Sequence, residues 1–417
     1  MARPLNFISL YTGSGGLDLG LEAAGFITRV AVEMDADSAR TLRSNRDWPV
    51  IERDIHTVSS RELLRTAGLH EGEADLLAGG PPCQPFSKSG YWARGDVRRL
   101  EDPRATTLEA YLRVLRDTKP RVFLLENVPG LAYQEKSEGR DLLESTVEAI
   151  NREVGTAYSF QVALIRAEQY GVPQMRERVF IVGQREGRDF CFPDPTHALC
   201  DLSSQQSRLS FVPTEPAFTA WDAVGDLEDD DDPNLSLTGR WAQLLPSIPE
   251  GKNYLHHTDR GGGLPLFGWR RRYWSFLLKL AKALPSWTLT AQPGPAIGPF
   301  HWKSRRLSVK ELMRLQTYPE PYYMVGTRSS IQRQLGNAVP SALAEYLGQQ
   351  IRAQLLGERA ALTEPRTLLP RRRTPIPPPE PVARVSRQYA KLAGNHSPHP
   401  GTSKGYGAAA RLARSTI

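Results

Sequence analysis

The chain has 417 residues, 40% hydrophobic and 24% charged, with a net charge of +7, enough for two or three folding units at roughly 100–200 residues each. The basicity is uneven: residues 357–417 carry 11 Lys+Arg against 3 Asp+Glu, a net +8, and leave residues 1–356 at −1. Cys83, Cys191 and Cys200 are too few for a disulfide framework and lack zinc-type spacing, and no apolar run reaches the roughly 18 residues of a membrane span, so a soluble, unexported, cytoplasmic chain without metal is expected.

Up to about residue 186, short apolar strands alternate with amphipathic helices. This predicts strands over 6–11, 28–33, 75–78, 122–126, 159–165 and 179–183, with helices over 17–24, 108–115 and 140–152 between them. Such alternation is the pattern of an α/β fold with a doubly wound, mostly parallel sheet. From about 187 to 300 the periodicity degrades into proline, glycine, aromatic and charged clusters. Among these are Glu228-Asp229-Asp230-Asp231-Asp232, read as a solvated loop rather than a metal site, and Arg260-Gly261-Gly262-Gly263, read as a pliable loop. Helical signals return over 308–316 and 340–355. The expected organisation is a first domain of residues 1–186 plus 330–356, a second, smaller and irregular domain over 187–329, and a basic, proline-rich, disordered tail over 357–417 carrying Arg371-Arg372-Arg373.

Two loops carry the chemistry. The first strand ends in Thr12-Gly13-Ser14-Gly15-Gly16 and opens a helix, so a ligand can approach the backbone. Glu33, about 20 residues after the first glycine, stands where nucleotide-binding sheets place an acid for ribose hydroxyls, with Asp35 and Asp54 beyond it. The Gly-x-Gly-Gly spacing departs from the dinucleotide pattern and suits a cofactor with adenosine but no pyrophosphate. The strand over 75–78 runs into Gly79-Gly80-Pro81-Pro82-Cys83-Gln84-Pro85-Phe86-Ser87. Its prolines restrict the backbone around a thiol at the carboxyl end of a sheet strand, where ligands of open α/β sheets bind. Thiolate chemistry there needs an electropositive surrounding.

Residues 80–87 resemble the catalytic motif of the DNA (cytosine-5)-methyltransferase family, of the prokaryotic restriction-modification type. Further matches follow in family order: Tyr11-Thr12-Gly13-Ser14-Gly15-Gly16, Glu126-Asn127-Val128, Gln174-Met175-Arg176-Glu177-Arg178, residues 307–319, and Gln334-Leu335-Gly336-Asn337-Ala338-Val339-Pro340. The resemblance implies the S-adenosylmethionine-dependent methyltransferase fold, a target-recognition domain over 187–329, and methyl transfer from S-adenosylmethionine to carbon 5 of cytosine in double-stranded DNA. It implies Cys83 as the nucleophile that adds to carbon 6 of a flipped-out base. Glu126, following the apolar run 122–125, would act at ring nitrogen 3 in a neutral, donating form. Arg178 would meet oxygen 2 and Arg176 the reacting nucleotide and its phosphates, both pointing one way at strand spacing. For the cofactor it implies Tyr11 against the adenine or methionine, the backbone of Gly13, Gly15 and Gly16 against the methionine part, Glu33 on the ribose, Asp54 on the adenine amino group and Ile55 on its ring. Pro82, Asn337 and Val339 complete that pocket.

The reader of the DNA is sought in Arg270-Arg271-Arg272-Tyr273-Trp274 and His301-Trp302-Lys303-Ser304-Arg305-Arg306, where cations interleave with aromatics. A tRNA-methylating relative of the same fold and a non-catalytic DNA-binding regulator are the rival readings. The tRNA branch's Cys-Phe-Thr stretch is absent, and every catalytic position is filled. A monomer protecting host DNA, partnered by a cognate restriction or defence system and nucleoid-associated when acting on DNA, is expected.

Overall fold

The computed structural model describes residues 4–82, 106–129, 138–199, 215–228, 232–268, 274–357 and 362–393. Its sheet strands are β1 (Leu5–Leu10), β2 (Phe26–Val32), β3 (Val50–Ile51), β4 (Leu76–Gly79), β5 (Val122–Asn127), β6 (Ser159–Arg166) and β7 (Glu177–Gln184). They form one seven-stranded sheet in the order β3-β2-β1-β4-β5-β7-β6. The strands from β3 to β5 are parallel, whereas β7 runs antiparallel to both β5 and β6. β1, β4 and β5 are buried at every position, as their unbroken apolar runs require of strands covered on both faces.

Helices α1 (Gly16–Ala23), α2 (Ala36–Asn45), α3 (Ser60–Ala67), α4 (Thr106–Thr118) and α5 (Glu138–Val154) follow successive strands. Asp35 caps α2 by accepting from Ser38 N, and Ser59 caps α3 by accepting from Glu62 N. One face of the sheet packs Leu10, Leu77 and Phe123 against Leu63, Tyr111, Leu115 and Val147. The other packs Phe7, Leu76 and Leu124 against Leu17, Leu21, Leu343 and Leu347. Tyr111 crosses the first layer to donate toward Leu77 O and Leu124 O, each at 3.1 Å, tying α4 to neighbouring strands.

The doubly wound expectation therefore holds for this sheet, including the return of the chain near its end. Helix α9 (Ser341–Leu355) lies beside α1 because Gly20 lets the backbones approach: a Cβ there would sit 2.2 Å from Ser341 O and 2.5 Å from Ala344 Cβ.

Beyond β7 the described elements are short. Helices α6 (Ala220–Val224), α7 (Val309–Leu315) and α8 (Arg328–Asn337) share a core of Trp221, Trp302, Leu307, Leu312 and Leu335 with Leu19 of α1. Thus α8 crosses the expected boundary at 329/330. A further cluster gathers Leu244, Tyr254, Phe267, Phe276 and Trp241. Gly261 N and Gly263 N donate to Thr258 O and His256 O, so the glycine stretch is a hydrogen-bonded turn rather than a loose loop.

Residues 362–393 also depart from the expected disorder. Glu345 of α9 accepts from Arg366 N and Thr367 N at 2.9 Å each. Arg371 lies over the Phe218 ring at 4.1 Å, Glu380 pairs with Lys282 at 2.8 Å, and Tyr389 of the short helix α10 (Arg387–Ala390) stacks on Trp241. Composition alone missed this because the segment borrows its apolar contacts from the body instead of building a core. No helix among the described residues is long and apolar enough to cross a membrane.

Candidate active site

The strand order reverses across β1, whose last residue Leu10 is in register with Val32 of β2 and Gly79 of β4. The loops leaving these strands consequently open at one edge, the crevice where doubly wound sheets bind ligands. A cleft of about 720 Å³ occupies it. Its lining includes Tyr11, Gly13 and Gly16 after β1, Glu33 after β2, Pro81 and Pro82 after β4, Glu126 at the end of β5, Arg178 in β7, and Asn337 and Val339 before α9.

The glycine loop turns through left-handed backbone at Tyr11, Gly13 and Gly15, with φ of 55°, 58° and 84°. Tyr11 tolerates this because its hydroxyl donates to Thr107 O at 2.7 Å, and burial, with the Asp54 charge next, pushes its phenol up. Gly13 N donates to Glu33 Oε2 and Asp35 N to Glu33 Oε1, both at 2.7 Å. Burial raises the Glu33 carboxyl against these bonds. Each oxygen keeps a further acceptor lone pair toward the cleft.

Sequence reasoning missed the loop's other supports. The Ser14 hydroxyl lies 2.7 Å from the Tyr318 hydroxyl, and Tyr322 OH donates to Ser14 O at 2.8 Å. It also missed Asp18 in the first turn of α1, a cleft-lining residue only 1% exposed whose two carboxyl oxygens have no hydrogen-bond partner among the described residues. Nothing in its type or spacing separated it from a helix-start acid.

Asp54 and Ile55 are not brought to the cleft. Asp54 caps a short turn, accepting from His56 N at 3.0 Å, and that bond, with the His56 ring, lowers its carboxyl. Ile55 is buried in the sheet's core.

At the catalytic end, Asn127 Nδ2 donates to Pro81 O and Thr107 Oγ1 to Pro82 O, each at 3.0 Å. The chain is thus held on both carbonyls as it leads toward Cys83, which lies outside the described residues. Arg178 Nε pairs with Glu126 Oε1 at 2.8 Å, with both side chains largely buried. Glu126 accordingly meets a guanidinium here, not the apolar setting expected of a neutral donor.

Arg176 and Arg178 part company. Residues Gln174–Met175 pair with Ser286–Trp287 in a separate ladder, and β7 begins only at Glu177, so strand alternation does not carry through Arg176. Arg176 is fully buried and does not line the cleft; it donates to Gly336 O at 3.0 Å, while its Nε and Nη1 lack partners among the described residues. Burial, with the Arg178 charge next, depresses its guanidinium. This packing disagrees with the phosphate contact expected of it.

Gln174 donates to Leu315 O at 3.1 Å and accepts from Leu289 N at 3.1 Å, which sets residues 288–292 across the cleft from Glu126. Arg333 of α8 closes one side by pairing with Asp35 at 2.5 Å.

The sought DNA reader is only partly present. Arg270–Tyr273 lie outside the described residues. In the second cluster, His301 and Trp302 are buried, burial and the Arg305 charge hold the His301 ring down to about 2, and Arg305 grips Glu311 with bonds of 2.8 and 2.9 Å. That cluster is chiefly structural. Arg306 instead joins Arg328 and Arg333 around a neighbouring groove of about 770 Å³.

The donor set suits an adenosine-bearing cation such as S-adenosylmethionine: cleft-lining loop backbone at Gly13 and Gly16, a carboxylate for hydroxyls, and a buried acid without a partner among the described residues, in a cleft of the size that holds such ligands. The model of the C-5 cytosine-specific DNA methylase family matches residues 5–353. The Type II methyltransferase M.SacI of Streptomyces achromogenes is 39% identical over 378 residues, covering 85% of this chain and 94% of the relative. M.AquIA of a Picosynechococcus strain is 40% identical over 223 residues, 53% of this chain and 88% of the relative. A DNA modification methyltransferase encoded within an E. coli prophage shares the fold with TM-score 0.58 at 20% identity, covering 85% of this chain and 100% of that one. A Spodoptera frugiperda DNMT2 mutant does so with TM-score 0.57 at 16% identity, covering 83% and 99%.

Proposed function

The chain belongs to the C-5 cytosine-specific DNA methylase family, and from that premise we propose that Cys83 attacks carbon 6 of a flipped-out cytosine in a particular double-stranded DNA sequence, so that carbon 5 is methylated. As a DNA (cytosine-5)-methyltransferase the protein acts on a carbon that is a poor nucleophile, and the cysteine addition overcomes this. The thiolate forms the carbon–sulfur bond, and an electron pair moves through the ring toward carbon 5 and nitrogen 3. S-adenosylmethionine supplies the electrophilic methyl group. Carbon 5 would take that group as the methyl–sulfur bond of the donor breaks to leave S-adenosylhomocysteine, then give up its proton to a base, and the bond from Cys83 to carbon 6 would break to return the thiolate.

Glu126 acts at nitrogen 3 and Arg178 at oxygen 2. Their 2.8 Å pair keeps both groups together until the base arrives and offers Arg178 a second acceptor. Asn127 and Thr107 restrain the backbone that presents Cys83. Gly13, Gly16, Glu33, Pro82, Asn337 and Val339 hold the donor, Gly15 shapes the loop from behind through its N–H to Thr12 O, and Arg176 braces Gly336 beside Asn337. Residues 187–329 read the DNA, and the Arg306, Arg328 and Arg333 groove takes phosphates.

The observation that carries this reading is the convergence of Pro82, Glu126 and Arg178 with the glycine loop on one cleft. Bisulfite sequencing of duplex DNA incubated with protein and S-adenosylmethionine should reveal one modified cytosine context. Cys83→Ser should abolish the modification, and full transfer by that variant would falsify the mechanism. The Type II names of the relatives support host-DNA protection beside a restriction system; the enzyme is taken to act as a cytoplasmic monomer. Plasmid recovered from cells making the protein should then resist endonucleases that cut at the modified sequence.

A further inference from the structure

We propose that the Asp18 carboxylate is the counter-charge for the cationic methionine end of S-adenosylmethionine and that Asp18 loses its proton when the donor binds. The inference rests on the donor assignment above and goes on to assign Asp18.

A carboxyl buried without a partner is costly, and an apolar residue of similar size would fill the position at less cost. Asp18 nevertheless lines the cleft while its oxygens lack partners among the described residues. The Tyr318 and Tyr322 hydroxyls engage Ser14, and the Ser9 hydroxyl, 2.9 Å from Thr12 Oγ1, is a neighbouring donor that favours the charged form. The charged groups facing it are the carboxylates Glu22 of α1 and Glu33 after β2, and the phenols Tyr318 and Tyr322 after α7 face it from the other side. Arg46 is engaged with Glu22 at 3.0 Å and Arg333 with Asp35 at 2.5 Å.

Burial pushes the Asp18 carboxyl up to about 7, with the Ser9 hydroxyl opposing the shift and Glu22 adding to it. Meanwhile the α1 N-terminus turns positive potential on the cleft, which suits a carboxylate and opposes a cation. An ionised Asp18 reverses that sign locally. The donor brings a sulfonium, an ammonium and an α-carboxylate at its methionine end; either cation beside Asp18 would favour its ionised form, while the carboxylate suits the positive helix terminus.

Calorimetric titration of the full chain at pH 6, 7 and 8.5, in buffers of different ionisation enthalpy, tests this with three ligands. S-adenosylmethionine carries both cations, S-adenosylhomocysteine only the ammonium, and 5′-methylthioadenosine neither. Binding of S-adenosylmethionine to the parent protein should release most of one proton at pH 6 and about half at pH 7, with the net release falling further at pH 8.5, where the donor's own amine also takes up protons. Asp18→Asn should abolish the release and weaken S-adenosylmethionine roughly 10- to 100-fold, leaving 5′-methylthioadenosine unchanged. An equal loss for S-adenosylhomocysteine assigns the ammonium, and its sparing assigns the sulfonium. Asp18→Leu, folded by circular dichroism, should repeat the pattern. Loss spread equally over the three ligands, or no proton release by the parent, overturns the Asp18 inference alone. A parent protein that binds none of the three overturns the donor assignment with it.

Discussion

Glu126 and Arg178 hold each other at 2.8 Å with little solvent access, so each change to one leaves a charge on the other to be accommodated. Glu126→Gln retains the shape but removes the acid, and it should lower kcat about 10²- to 10⁴-fold in single-turnover methylation while the donor Kd stays within about twofold. An unaltered kcat would remove Glu126 from the chemistry. Asp18 has its own signature in stability. Its carboxyl sits near 7 in the fold against about 3.9 unfolded, so the folded state binds the proton more tightly. Stability is therefore full below about pH 4, falls as pH rises toward 7, and stays reduced above it. Asp18→Asn should remove that decline and exceed the parent above pH 7 by at most about 4 kcal/mol, read from urea unfolding across pH. Parallel pH profiles would show that Asp18 is not held protonated. At this scale the sequence was legible where a motif named a residue type for a stated chemistry, as at Glu126 and Glu33. It was opaque at Asp18 and Arg176, whose surroundings include residues more than a hundred positions away, such as Tyr318 and Gly336.

Among elements, six of the seven strands of the sheet could be read because each is a short apolar run ended by a turn, and the structure places them within two residues of expectation; the two-residue β3 was not among them. Their order, and the antiparallel insertion of β7, depend on which edges pair and left no local pattern. The junction of α1 with α9 is likewise invisible in periodicity, since Gly20 reads as a helix-weakening residue until its neighbour is known. That junction sets Asn337 and Val339 against the glycine loop, because Val339 O would lie 2.3 Å from a Cβ on Gly16. Gly20→Ala forces a methyl against Ser341 O and Ala344, which should destabilise the fold by roughly 1–3 kcal/mol. Donor binding should weaken in the same variant, because α9 can relieve the clash only by carrying residues 337–339 away from the cleft. Unfolding and binding titrations that both match the parent would show that the two helices are not locked here.

Across the whole molecule, residues 362–393 run from the helix layer of the sheet to the cluster around Trp241. Glu345 anchors the start, Arg372 and Asp226 pair midway, Lys282 sits between Glu250 and Glu380 at 2.8 Å from each, and Tyr389, 4% exposed, donates to Arg240 O at 2.6 Å. A basic, proline-rich stretch with few apolar residues looks unable to order itself, yet this one needs no core of its own because each anchor meets a group the body already presents. Proline also lowers the entropy lost when such a chain is laid down in extended form. The strap joins the two regions proposed to face DNA together, so its loss should loosen their mutual placement before it disturbs the proposed cofactor cleft. Tyr389→Ala removes a ring stacked 5.8 Å from Trp241 and should cost roughly 3–5 kcal/mol locally. Hydrogen exchange should accelerate across residues 241–280, DNA affinity should fall, and S-adenosylmethionine affinity should stay within about twofold. If exchange instead rises evenly through the sheet, or donor binding falls in step with DNA binding, the strap serves general stability and does not join the two regions.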